Sequence, residues 1–167
     1  MAFHVPGPWW GAENVIVTSD SDIGLLVGRA LDQTAAVIAA IPAGLAGAAT
    51  PCPGWNERAL VRHLIGQDLR NFIVAARSGV AAWQAPAELG EDWAGAFRDR
   101  AGQLLAVWQE ADLDQLVAMP GGGRAPLRSR ADQQITDLAV HGWDLAKATR
   151  QQADLDPVLA AGPGTPA

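Results

Sequence analysis

Cysteine is nearly missing from this 167-residue chain: Cys52 is the single one, so no internal disulfide and no multi-cysteine metal cluster can form within one chain. That usage fits a reducing compartment, and a cytoplasmic location is expected. Basic residues are also scarce. With 12 Lys and Arg against 18 Asp and Glu, the net charge is -6, whereas phosphate binding needs clustered positive side chains. No nucleic-acid partner is expected. No apolar run approaches the length of a bilayer span, and the opening Met-Ala-Phe-His-Val-Pro-Gly-Pro-Trp-Trp lacks a basic stretch followed by an apolar one. No membrane partner is expected either. Period-two alternation is rare, so strands are not predicted. The Gly121-Gly-Gly123 run lacks the preceding strand, the lysine and the hydroxyl of a phosphate loop, and reads as a connector.

What the chain does have is apolar periodicity at helical spacing. At 49% hydrophobic it suits one globular domain with a real core. Residues 1–18 read as an irregular arm rich in Pro, Gly and Trp. Ser19 or Ser21 can cap a first helix in which Ile23, Leu26, Val27, Ala30, Leu31, Thr34, Ile38 and Ile41 recur, ended by Pro42 and Gly44. The breaker-rich loop Ala49-Thr-Pro-Cys-Pro-Gly-Trp55 leads to Asn56, a good N-cap for a second helix of about six turns carrying Leu60, Val61, Leu64, Ile65, Leu69, Phe72 and Ile73. Trp93, Phe97, Ala101, Leu104 and Trp108 mark a third helix that stops near Asp112. After the flexible stretch from Met119 to Pro126, a fourth is predicted from about Ser129 to Thr149. Residues 151–167, with Asp156-Pro157 and a Gly-Pro-Gly-Thr-Pro end, read as an extended or disordered tail. The predicted fold is an all-α four-helix bundle over residues 19–150.

Chemistry concentrates on the last helix. In Asp137-Leu-Ala-Val-His141-Gly-Trp-Asp144 the three polar groups stand four and three residues apart, on one helical face. Two oxygen donors flanking an imidazole make a partial divalent-metal site, one ligand short of a three-ligand centre with an open position. The same band, Gln134, Asp137, His141, Asp144 and Ala148, also has the form of a narrow solvent stripe. Asp144 could ligate in place of Asp137, orient His141, or stand as a surface charge at the helix end.

The chain has three histidines. His4 lies in the arm, and His63 lies on the border between the apolar and polar arcs of the second helix, where periodicity does not turn it towards the core. Asp68 falls near the middle of that apolar arc, which implies a buried partner such as an arginine, or an interface. Cys52, between two prolines with no adjacent base, reads as a structural loop cysteine. Trp55 and Trp143 read as packing residues that fix a loop and a helix.

Thr50-Pro-Cys-Pro-Gly-Trp55 followed by Leu60-Val-Arg-His63-Leu, together with Asp137-Leu-Ala-Val-His141-Gly-Trp-Asp-Leu-Ala-Lys-Ala-Thr149, resembles the actinobacterial metal-binding proteins related to the N-terminal domain of mycothiol-dependent maleylpyruvate isomerase, within the DinB-like superfamily. The resemblance implies a DinB-like four-helix bundle in which His63, Asp137 and His141 hold a divalent metal, commonly zinc. Glutamate is frequent in the family where this chain has the shorter Asp137. Arg150 stands where related chains carry a glycine suited to a helix C-cap. The isomerase's additional C-terminal domain is expected to be absent, so its substrate does not carry over.

A thiol cosubstrate of the mycothiol type follows from the same resemblance. Coordination would favour its thiolate near neutral pH, ready to add to an activated double bond or displace a leaving group, and isomerisation follows if the adduct rotates and the thiol departs. On this reading the chain is a metal-dependent mycothiol S-transferase or isomerase-like enzyme. Its partners are a small-molecule thiol and an electrophile. Asp144 supports the ligands, and Gln134 or Arg130 binds an anionic substrate. The alternative is a non-catalytic helical bundle with a structural metal or none, acting as a protein-interaction module or homodimer.

Overall fold

A computed structural model of the chain describes residues 20–42, 45, 47–78, 88–119, 122–152, 156 and 159. The arm of residues 1–18, with His4, Trp9 and Trp10, lies outside the described residues, as does Ser19; Ser21 is in the first turn of a helix. The elements in order are α1 (Asp20–Ala39), α2 (Glu57–His63), a π-helical turn (Leu64–Asp68), α3 (Leu69–Ser78), α4 (Trp93–Glu110), a hairpin of β1 (Leu116–Ala118) and β2 (Arg124–Pro126), and α5 (Arg128–Ala148). Because α2, the π turn and α3 run on without a break, these elements make four helices among the described residues. α1 packs on α5 and α4, α3 packs on α4, and α2 packs on α5, so the four helices close a ring around one apolar interior.

The second helix explains its own irregularity. Asn56 is extended at φ -90 and ψ 172, and its side chain accepts from the amide of Ala59 at 2.9 Å, which starts α2. From there the buried positions come in pairs every four residues: Leu60 with Val61, Leu64 with Ile65, Asp68 with Leu69, and Phe72 with Ile73. A strict period of four drifts by about 40° per step on a 3.6-residue helix, enough to carry the stripe out of the core within a few steps. The π turn absorbs that drift. Its wider loop is closed by the amide of Leu69 donating to the carbonyl of Leu64, and both halves of the helix then face the same interior.

The expected connector after α4 is instead a hairpin. Gly122 and Gly123 adopt φ 99 and 82, a left-handed backbone that lets the chain reverse within three-residue strands. Val117 and Leu127 are buried at its base, and the amides of Leu127 and Arg128 donate to the carbonyls of Gln115 and Leu113 at 2.8 and 3.0 Å, fixing the start of α5. The alternation is too short to register as a strand in the sequence.

α5 ends in a Schellman motif: Gln151 donates to the carbonyl of Ala146 at 2.9 Å and Arg150 to that of Lys147 at 3.3 Å. Arg150 takes the left-handed position at φ 58 without being glycine. The segment beyond it is expected as an extended or disordered tail. Among its described residues, Gln151 Nε2 donates to the carbonyl of Val37 at 3.0 Å, Asp156 pairs with Arg29 at 2.5 Å, and Leu159 is buried in the core. These contacts tie it back to α1.

Two predictions follow from the backbone and the burial. Arg150→Gly relieves a side chain held at positive φ and should raise unfolding stability by about 1 kcal/mol in urea titration. Glu57, wholly buried at the start of α2, has neither carboxylate oxygen hydrogen-bonded, and burial raises its pKa above 4.5 although the Arg58 charge pulls it down. A folded-state pKa above the unfolded one means that ionisation favours unfolding. The contribution of Glu57 to stability is therefore full below the ordinary glutamate range and lost as pH rises through the folded pKa. Glu57→Gln should flatten that fall in melts across the acid to neutral range.

Candidate metal centre

α2 and α5 lie against each other so that the last residue of α2 faces the middle of α5. The rings of His63 and His141 meet edge to face, with centroids 5.4 Å apart at 90°. One donor atom each from His63, Asp68 and His141 lies within 4.8 Å of the others. Asp68 Oδ2 comes to 3.0 Å from His63 Nε2. The buried partner implied for Asp68 is thus a histidine one wide turn earlier, where an arginine or an interface was expected. The period of four was the signal in the sequence. A wheel drawn at 3.6 residues per turn placed Asp68 correctly among apolar neighbours, but turned His63 away from it.

His63 is oriented from its far side. Gln67 Oε1 stands 2.8 Å from Nδ1, and a carbonyl oxygen can only accept, so Nδ1 carries the hydrogen and Nε2 faces the cluster. Burial by itself pulls the His63 imidazole down. The contact and charge of Asp68, the Gln67 oxygen and the charge of Asp137 together hold it above its ordinary value.

Asp137 is half-buried on the same face of α5 as His141. Its carboxyl is raised first by burial and then by the negative charge of Asp68, while His141 and His63 pull it part of the way back. It therefore lies within electrostatic reach of all three clustered residues, although it is not part of the group whose donor atoms fall within 4.8 Å. Asp144 is 6% exposed and approaches His141 Nδ1 at 3.5 Å, long for a hydrogen bond, and that nitrogen has no hydrogen-bond partner.

Gln134, one turn before Asp137, is buried with its Oε1 accepting from the Trp108 indole at 3.1 Å, and its Nε2 has no partner. Arg130 is buried at the start of α5, with Nη1 donating to Gln133 Oε1 at 2.8 Å. Trp143 lies beneath the Lys147 ammonium at 5.4 Å.

The loop before α2 supplies a wall. Thr50 Oγ1 donates to the carbonyl of Trp55 at 2.9 Å and accepts from the amide of Cys52 at 3.2 Å, and Gly54 turns the chain at φ 81. This knot sets Trp55 against both imidazoles, edge-on to His63 at 4.5 Å and parallel to His141 at 6.5 Å. Trp55 thus fixes the loop and borders the cluster at once. Cys52 is a half-buried free thiol in that knot and is not part of the cluster. Gly142 keeps α5 close to α1: a Cβ there would meet Thr34 Oγ1 at 3.2 Å, and that hydroxyl is engaged with the carbonyl of Ala30 at 2.9 Å.

This donor set suits a divalent cation. The group offers two imidazoles and a carboxylate of 3% exposure, whose Oδ2 is buried 3.0 Å from His63 Nε2. A buried carboxylate needs a counter-charge. A hollow of about 650 Å³ between α1 and α4, bordered by Ile23, Leu25, Arg29 and Trp108, is lined by none of these residues.

Comparison with known proteins agrees with this architecture. Residues 27–146 match the family described as the mycothiol maleylpyruvate isomerase N-terminal domain. Two uncharacterized proteins from two strains of Mycobacterium tuberculosis are each 32% identical over 143 residues, covering 79% of this chain and 70% of theirs. The crystal structures of a mycothiol-dependent maleylpyruvate isomerase and of its histidine-to-alanine variant superpose with a TM-score of 0.64 at 13% identity, over 85% of this chain. That similarity shows that the two share the four-helix fold, and this chain spans 66% of the isomerase's length. Over most of its length, from within α1 to the last turn of α5, the chain belongs to the mycothiol maleylpyruvate isomerase N-terminal domain family.

Proposed function

We propose that this protein is a divalent-metal-dependent enzyme that uses a low-molecular-weight thiol of the mycothiol type, as an S-transferase or an isomerase-like catalyst. The observation that carries this reading is the convergence of His63 and His141 from two helices on one point beside buried carboxylates. Family membership supports it by supplying a mycothiol-using relative. His63, Asp137 and His141 are the proposed ligands, and zinc is the ion that the resemblance names. A cation held there would lower the pKa of a thiol reaching it and leave a nucleophilic thiolate.

The protein's own side chains do the positioning. Gln67 fixes the His63 ring so that Nε2 faces inward. Asp144 stands 3.5 Å from His141 Nδ1 and serves to orient the ring. Trp55 screens the two imidazoles from water. The Gln134 amide nitrogen, buried without a partner three residues before Asp137, is a donor for a substrate oxygen, and Arg130 in the preceding turn adds positive charge for an anionic electrophile.

Metal-stripped protein titrated with Zn²⁺ should bind one equivalent. At free ion roughly a hundredfold above Kd, it should gain about 3 kcal/mol of stability. His63→Ala and His141→Ala should lose both the binding and the stabilisation, together with turnover of mycothiol against a panel of electrophiles. A wild type without a stoichiometric ion, and a His63→Ala variant of unchanged stability with and without metal, would overturn the reading in favour of a non-catalytic interaction module.

A further inference from the structure

Asp68 is the one residue of the cluster that the family resemblance did not supply, and the backbone is distorted to bring it there. On a regular α-helix, residues five apart point about 140° away from each other. The π turn spanning Leu64–Asp68 removes that divergence and sets Asp68 Oδ2 3.0 Å from His63 Nε2. π turns interrupt α-helices rarely, and often at functional sites.

In the neutral His63 ring the hydrogen is on Nδ1, facing Gln67, and Nε2 turns a lone pair to the buried Asp68 Oδ2 at 3.0 Å. Two acceptors held together out of water need a cation between them, either a second proton on His63 or a metal ion. The donor atoms of His63, Asp68 and His141 already lie within 4.8 Å of one another, and Asp137 faces them from α5.

We propose that Asp68, carried by the π turn, is a further metal ligand, so that the centre comprises two imidazoles and two carboxylates. This rests on the proposed metal-dependent function and sharpens its ion. Four protein ligands would close a tetrahedral zinc against any thiol, as in structural zinc sites. An ion of five- or six-fold coordination, such as Mn²⁺, Fe²⁺ or Co²⁺, keeps positions open on the same four groups and accepts a mixed imidazole and carboxylate set. Catalytic loading by such an ion is therefore the state this donor set favours.

The test separates a ligand from an ion-pair partner by the sign of the effect. Full-length wild type, Asp68→Ala and Asp68→Asn are stripped and titrated with Mn²⁺, followed by electron paramagnetic resonance, and with Zn²⁺ by calorimetry; thermal melts confirm folding. If Asp68 ligates, both variants lose Mn²⁺ affinity by at least about tenfold, with a smaller loss for Zn²⁺. Co²⁺-loaded wild type then shows the weak visible absorption of five- or six-fold coordination. If Asp68 merely competes with the cation for His63 Nε2, the folded variants bind Mn²⁺ as tightly as wild type or more tightly, and the inference falls. Co²⁺ bands of the wild type that persist unchanged in Asp68→Asn would likewise overturn it. A wild type that binds no divalent ion at all would instead overturn the proposed metal-dependent function, and this inference with it.

Discussion

The approach of Asp68 to His63 puts a carboxylate of 3% exposure against an imidazole inside a helical bundle, next to a second carboxylate on the facing helix. Removing such charges from water costs several kcal/mol per ion unless opposite charge and hydrogen bonds offset it. Much of the surrounding architecture serves that balance. Gln67 engages the outer nitrogen of His63, and Trp55 covers the two rings. The close passage of α1 over Gly142 keeps α5, and hence His141, at its depth. An apolar set of the same volume would pack without these arrangements, so their presence marks the interior as a place where charge is wanted.

The loop from Thr50 to Trp55 shows how a short motif acquires physical meaning. Its prolines and glycine look like ordinary punctuation, yet the Thr50 hydroxyl bonds both to the amide of Cys52 and to the carbonyl of Trp55. The knot is stabilised almost wholly by local contacts. It delivers a large aromatic ring to His63 on the helix that follows it and to His141 on α5.

The helices were legible because each has an apolar stripe and most have recognisable ends. Asn56 caps α2 as its side chain demands, and the stripe from Trp93 to Trp108 sits on α4 as spaced. What escaped the sequence did so for identifiable reasons. The hairpin from Leu116 to Pro126 has strands too short to alternate visibly, and Asp156 and Leu159 return to α1 through a segment whose composition resembles a loose end. Within the site, the carboxylate-flanked His141 and its face of α5 could be read from spacing, and the two-motif resemblance drew His63 to it. The partner of Asp68 was missed because a helical wheel presumes a constant turn, whereas the period of four signalled a change of turn.

That change of turn also couples the core to the chemistry. If Leu64–Asp68 closed to regular α-helical turns with no residue removed, every later residue of α3 would rotate by about 100°. Leu69, Phe72 and Ile73 would then swing away from α4 in the same movement that carried Asp68 away from His63. Neither arrangement can drift independently of the other: a register error in this helix unpacks the bundle before it can yield a folded protein with an altered site.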